Sequence, residues 1–343
     1  MKKKGIIWPM LVTGLLLLTL VTGCSKKQSG DVEVKKKFVG ISFPSTSVDR
    51  WQKEAEFLKT GLEKLGHRAE IQYADEKADL QNQQCENFFS QGIDLLVLCA
   101  VDTSAAISIV DAAHAENVLV VSYCRLIENA DIDAFGGEDN DLCGVYQGQY
   151  AVDNLPKGNI VVLGGSPFDT NGRLYYRTAL ETLQPKVDSG DFKIVFSQPV
   201  DYWLADKAVS LMENALTIAG NDVQAVVCSN DPIAGGAIQA LAAQGLAGKV
   251  MVIGGDGELA AIKRIILGTQ TATLKKDSVK IATPIVTMID GMLTGKDPQY
   301  NKRVNNGFKD VPSVQVDMTM VDIKNLKEEF IDSGIYTQAQ IDN

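Results

Sequence analysis

The alternation of short apolar runs with helix-length amphipathic segments constrains this chain more than any other feature. "FVGISF", "RAEIQYA", "DLLVLCA" and "VLVVSYC" are separated by segments that start near Asp49, Ala78 and Ser104. A second series, "NIVVLGG", "FKIVFSQPV", "VQAVVCS" and "VMVIGGD", is separated by helices that start near Gly172, Leu204 and Pro232. Continuous apolar strands between helices belong to parallel sheets covered on both faces, so the pattern predicts an α/β protein with two doubly wound lobes. The two series share a pattern, with no close sequence repeat between them.

The first residues stand outside this pattern. Three lysines precede an apolar stretch from Met10 to Val21, too short for the ~20 residues of a spanning helix, which predicts a signal peptide over 1–23. Its ending, "LVTGC", resembles the bacterial lipobox and makes Cys24 the expected lipidated N-terminus, followed by a polar tether over 24–36. Such a chain is expected outside the cytoplasm, held by its lipid on the outer face of the cell membrane. Roughly 320 residues then remain, more than one compact core comfortably holds.

Charge narrows the ligand classes. The chain carries a formal −10, and loss of the N-terminal lysines makes it more acidic, which argues against nucleic acid and anionic lipid as partners. Beyond Cys24 there are five cysteines without C-x-x-C spacing, which predicts buried thiols rather than a disulfide framework or a zinc site. With only His67 and His114 available, no metal site, cofactor or catalytic triad is expected.

The distinctive polar residues fall just after the carboxyl ends of strands: "DRW", "CR", "SPFDTN", "VDYW", "SND" and "GGDGE". Open parallel sheets bind ligands in the crevice at that edge. A cleft lined by Arg50, Arg125, Asp139, Asp169, Asn171, Asn230, Asp256 and Lys276, with Trp51 and Trp203, suits a polyhydroxylated ligand. Each hydroxyl both donates and accepts, and the apolar face of a sugar ring packs on an indole. Trp51 has a second reading, because with Ala55, Leu58, Leu62 and Leu65 it falls at helical spacing and could begin a core stripe. Asp169 and Asn230 are equally good helix caps. "GGDGELA" contains a variant dinucleotide fingerprint, but it closes a lobe instead of opening one.

The segments "DRWQKE", "YCRLIENADID", "GGSPFDTN", "LQPKVDSGDFKIV", "SNDPIAGGAIQALAAQGLAGKV", "LAAIKRIILGTQTATLKK" and "NNGFKDVPS", in this order from about Phe38 to Tyr336, resemble the D-xylose-binding proteins of ABC importers. "GISFPSTSVDRW" and "EIQYADE" are similar to the multiple-sugar-binding proteins that take glucose, galactose and arabinose. The resemblance implies a type I periplasmic-binding-protein fold with crossings near Gly137, Lys275 and Val311, giving lobes of 37–136 plus 276–310 and 137–275 plus 311–343. It also implies a monosaccharide ligand, D-xylose foremost, held by Arg50, Trp51, Arg125, Asp169, Asn171, Trp203, Asn230, Asp256 and Lys276. On this reading Trp51 belongs to the cleft, and it and Trp203 flank the sugar ring. The protein would be a monomer without enzymatic activity that delivers its ligand to the transmembrane subunits of an ABC permease. A sensor docking on a histidine kinase or chemoreceptor is the alternative. One departure stands out: Cys124 in "YCR" replaces the family's usual aspartate, and Glu138 in "GGEDN" could supply the missing acceptor.

Overall fold

A computed structural model describes residues 36–342; the signal, the tether and Cys24 lie outside the described residues. The first series runs β1 (Phe38–Phe43), α1 (Asp49–Lys64), β2 (Arg68–Tyr73), α2 (Ala78–Ser90), β3 (Leu95–Leu98), α3 (Ala106–Ala115), β4 (Leu119–Tyr123) and β5 (Ala134–Glu138). After α4 (Cys143–Asn154) comes the second: β6 (Gly158–Gly164), α5 (Thr170–Asp188), β7 (Phe192–Pro199), α6 (Ala205–Ala219), β8 (Ala225–Cys228), α7 (Asp231–Ala243), β9 (Met251–Asp256), α8 (Leu259–Ile266) and β10 (Ala272–Lys275). The chain returns through α9 (Ser278–Thr294), β11 (Lys302–Asn305) and β12 (Asp310–Val316), then ends in β13 (Thr319–Asp322) and short helical turns.

These strands form two sheets, ordered β11-β12-β5-β4-β3-β1-β2 and β13-β10-β9-β8-β6-β7. Both are parallel except for the antiparallel pairs β11 with β12 and β10 with β13. The eight strands and six helices expected from the apolar alternation are all present. Each sheet is buried on both faces. In the first, Val39, Ile41, Val97 and Val121 pack under α1 and α9, while Leu96, Leu98 and Val120 face α2 and α3.

The chain passes between the sheets three times: after β5, after β10 and after β12. Lys275 ends β10, while Gly137 and Val311 lie within β5 and β12. β12 pairs with β5 from Ser313↔Phe135 to Val316↔Glu138, so residues 311–316 and 137–138 belong to the first sheet. The ladder of parallel hydrogen bonds continues as long as both backbones stay extended, and that puts Glu138 and Val316 side by side at the hinge.

The helices of the second lobe meet closely where α4 crosses α5. Gly144 and Gly148 are one turn apart, and a Cβ added at Gly144 would stand 2.1 Å from the Tyr175 carbonyl oxygen and 2.3 Å from Thr178 Oγ1. Because both α5 atoms belong to a helix fixed by its own packing, Gly144→Ala is expected to destabilise the protein by more than about 2 kcal/mol. Urea denaturation would show it as a lowered midpoint at constant slope; an unchanged midpoint would mean that the helices can separate freely.

Candidate functional site

The carboxyl ends of the two sheets face one another across a cavity lined by Val48, Arg50, Trp51, Cys124, Arg125, Asn171, Trp203, Asn230, Asp256 and Lys276. Each of these comes from a strand end or the turn that follows it. Arg50 and Trp51 occupy the first turn of α1, and Cys124 and Arg125 follow β4. Asn171 opens α5, Asn230 caps α7 by accepting from Ile233 N at 3.0 Å, and Asp256 ends β9. Trp203 sits in a turn after β7 with left-handed backbone at Tyr202 and Trp203. Its indole lies over Gly165, where any Cβ would come within 2.2 Å of the ring. The cavity offers about 30 Å³ to the centre of a water-sized body. Giving each centre a radius of ~1.4 Å makes a void on the order of 150 Å³ if it is roughly spherical, room for one sugar ring.

Eight of the nine residues expected at the site line this cavity. The ninth, Asp169, lies one layer behind. Its side chain caps α5 through Gly172 N at 2.9 Å, accepts from Trp203 Nε1 at 2.7 Å and faces Arg125 Nη2 at 3.5 Å. Asp139, also expected in the cleft, turns outward to Lys302 at 2.7 Å. Trp51 meets both of its readings: it belongs to the buried stripe with Ala55, Leu58 and Leu62, and it also forms part of the cavity wall.

Beneath the cavity lies a buried ion cluster. Arg50 donates from Nε to Glu54 at 2.9 Å, from Nη1 to Glu138 at 2.6 Å and from Nη2 to the other oxygen of Glu138 at 3.2 Å. Lys276 reaches Glu138 at 3.3 Å and Asp256 at 3.0 Å, and Arg50 meets Asp256 at 3.4 Å. Glu138 is therefore not a free acceptor at the cavity surface, as the departure at Cys124 had suggested; both its oxygens are engaged with Arg50, and one also with Lys276. Burial alone would lower the pKa values of Arg50, Arg125 and Lys276, but neighbouring carboxylates outweigh it and keep all three charged. These three cations face the carboxyl groups of Glu54, Glu138, Asp169 and Asp256, and Glu54 is pushed up by burial. The region has no surplus positive charge for a phosphate.

Nor can "GGDGELA" cradle one. The Asp231 carboxylate already accepts from Gly257 N at 2.9 Å and Glu258 N at 3.1 Å, filling the place at the start of α8 where a pyrophosphate would sit. The five cysteines beyond Cys24 are free and buried. Cys124 has a left-handed backbone at φ 60°. The hydrogen bond with Cys99, then burial, raises its pKa and keeps the thiol protonated.

The lobes touch around the rim as well. Asn171 Nδ2 donates to the Cys124 carbonyl at 3.1 Å, Arg173 pairs with Glu128 at 2.8 Å, Thr103 N donates to the Phe168 carbonyl at 3.3 Å, and Thr170 Oγ1 donates to the Leu126 carbonyl.

Two sheets with facing carboxyl edges, three chain passages and a cavity between them define a two-lobed binding protein. The chain belongs to the periplasmic binding protein domain family, which matches residues 39–297, and that is a family of binding proteins, not of enzymes. It is 38% identical over 341 residues to the D-xylose-binding periplasmic protein of Escherichia coli (strain K12), with 99% of this chain and 100% of that protein covered. The D-xylose-binding periplasmic protein of Haemophilus influenzae is 39% identical over 325 residues, covering 95% and 98%. An ABC transporter solute binding protein from Clostridium phytofermentans, solved with bound β-D-glucose, superposes with a TM-score of 0.82 at 29% identity, covering 89% of this chain and all of that one.

The ion cluster makes stability depend on acid. Burial raises the Glu138 pKa, but Arg50 and then Lys276 outweigh it and hold the carboxyl well below its ordinary 4.5. A carboxyl whose pKa is lower folded than unfolded contributes stability above the unfolded value, and that contribution is lost as pH falls below it. Glu138→Gln should cost about 3–5 kcal/mol near neutrality, since two buried cations lose a partner. Its denaturation midpoint should also fall less steeply than the wild type's between about pH 6 and pH 3. Parallel pH profiles would show that Glu138 does not carry this dependence.

Proposed function

We propose that this protein captures a neutral monosaccharide, D-xylose first among the candidates, and delivers it to an ABC importer. The observation that carries the reading is the small cavity of about one-ring size between the sheet ends, lined by two indoles and by Arg50, Arg125, Lys276, Asn171, Asn230 and Asp256. Sugar hydroxyls need donors and acceptors in fixed directions, and this lining supplies both, its three cations being paired with the carboxyl groups of Glu54, Glu138, Asp169 and Asp256. The naming of the two relatives as D-xylose-binding proteins supports the choice of sugar.

Arg125, Asn171, Asn230, Asp256 and Lys276 hydrogen-bond the hydroxyls in this reading, and Trp203 presents its ring to the apolar face. Asp169 acts through others, setting the angle of Trp203 and Arg125. The sugar's contacts with both lobes favour the closed form over the open one, and a permease distinguishes the two by their shape. Cleavage before Cys24 and acylation of its thiol would keep the receptor beside that permease, on the tether of residues 24–36.

Titrating intrinsic fluorescence with D-xylose, then with glucose, galactose, arabinose and ribose, tests this directly, because Trp51 and Trp203 both border the cavity. One sugar should saturate the signal near micromolar concentration, equivalent to about −8 kcal/mol. Arg125→Met should weaken it by about 10–100-fold, the worth of a charge-assisted hydrogen bond. Failure of every sugar to change the signal or to release heat in calorimetry would refute the reading.

A further inference from the structure

Asp256, the carboxylate of the cavity lining, stands in a backbone conformation that a residue with a side chain rarely adopts. Its φ is 104°, and Gly257 follows at 73°. A non-glycine residue in this region is strained, and it persists only where its surroundings over-determine it.

The surroundings that hold this turn converge on one buried side chain, that of Asp231 at the start of α7. Asp231 Oδ2 accepts from Gly257 N at 2.9 Å and from Glu258 N at 3.1 Å, the two amides that directly follow Asp256. Its Oδ1 accepts from Gln270 Nε2 at 2.8 Å, and the Thr273 hydroxyl on β10 lies 2.9 Å and 2.8 Å from the two oxygens. Arg264 on α8 holds the Gln270 amide through its oxygen at 2.9 Å and donates to the Asp231 carbonyl at 2.9 Å. Gly254 leaves the room for this arrangement, since a Cβ there would come within 2.2 Å of Asp231 Oδ1. Asp231 is thus fixed from β10 and α8, and the turn after β9 hangs from it. Its chain neighbour Asn230 lines the cavity and caps α7.

We propose that Asp231 is a positioning residue for the ligand: it holds the strained turn so that the Asp256 carboxylate meets one hydroxyl of the sugar, and it sets the place of that carboxylate relative to Asn230. The inference rests on the sugar reading above and deepens it. Preference for that hydroxyl then depends on a residue behind the lining, because an Asp256 released from the turn keeps its charge but loses its aim.

The test is calorimetry on the purified full-length chain at pH 8, above the value of about 7 to which burial and then the charge of Asp256 push the Asp231 carboxyl. The wild type, Asp231→Asn and Asp256→Asn are each titrated with the tightest-binding sugar of the five and with its monodeoxy analogues, each lacking a single hydroxyl. Asp231→Asn should bind the sugar about tenfold or more weakly than the wild type, as expected when a charge-assisted hydrogen bond is lost. One analogue should escape that loss and bind both proteins within about twofold, because the hydroxyl that Asp256 holds is already missing from it. Asp256→Asn should single out the same analogue. In the double variant, Asp231→Asn should weaken the sugar by less than about twofold beyond Asp256→Asn alone, since both remove the same contact.

A residue that only supported the lobe would weaken the sugar and every analogue alike. Such a uniform loss, an unchanged affinity for the sugar, or different analogues singled out by the two variants would each overturn the inference while leaving the sugar reading intact. Should Asp231→Asn fail to fold, Thr273→Val takes its place, keeping the β-branched shape in β10 while removing the hydroxyl that touches both Asp231 oxygens and Gly257 N. It should weaken the sugar by about threefold or more and spare the same analogue. If none of the five sugars binds the wild type, the sugar reading falls and takes this inference with it.

Discussion

Four buried charges at the meeting of the lobes, Arg50, Glu138, Lys276 and Asp256, are the constraint around which the rest of the molecule is arranged. A charge removed from water must be paired and hydrogen-bonded or it shifts its pKa and neutralises. Each of these four comes from a different element: α1, β5, the passage after β10, and the end of β9. The pairing therefore fixes the relative positions of both sheets and of two hinge passages at one point. Three of the four, Arg50, Asp256 and Lys276, also line the cavity, so the same pairing that joins the lobes shapes the surface a ligand meets.

The same pairing explains the kind of ligand the cavity suits. Charges that neutralise each other present to a guest their remaining hydrogen-bonding capacity and little net field. A neutral polyol profits from such a surface, whereas an anion finds no surplus cation and a phosphate finds the start of α8 closed by Asp231.

Much of this was legible in the sequence, because strands buried on both faces read as unbroken apolar runs and the turns after them carried unusual polar residues. The elements that could not be read were those without such a pattern. β5 is "AFGGE", with two glycines and a carboxylate in a buried strand, and β12 contains a proline; only their pairing with each other and with β4 makes them strands. Glu138 was noticed but misplaced, since its distance to Arg50 is a property of the assembled lobes. Spacing alone left Trp51 divided between core and cleft, and the fold shows that division to be false: one edge of the indole packs on Phe43 while the ring also borders the cavity.

The three passages between the lobes lie together, with Val316 opposite Glu138 in the β12–β5 ladder and Lys276 bonded to the same Glu138. Three ribbons side by side behave as a leaf hinge: they bend about one axis and resist both sliding and twisting. Rotation about a single axis moves every point of the far rim along one arc. The contacts Arg173–Glu128, Thr170–Leu126 and Thr103–Phe168 must then form or break as a set. A partner protein that senses the separation of the rims at any one of these places thereby senses it at all of them.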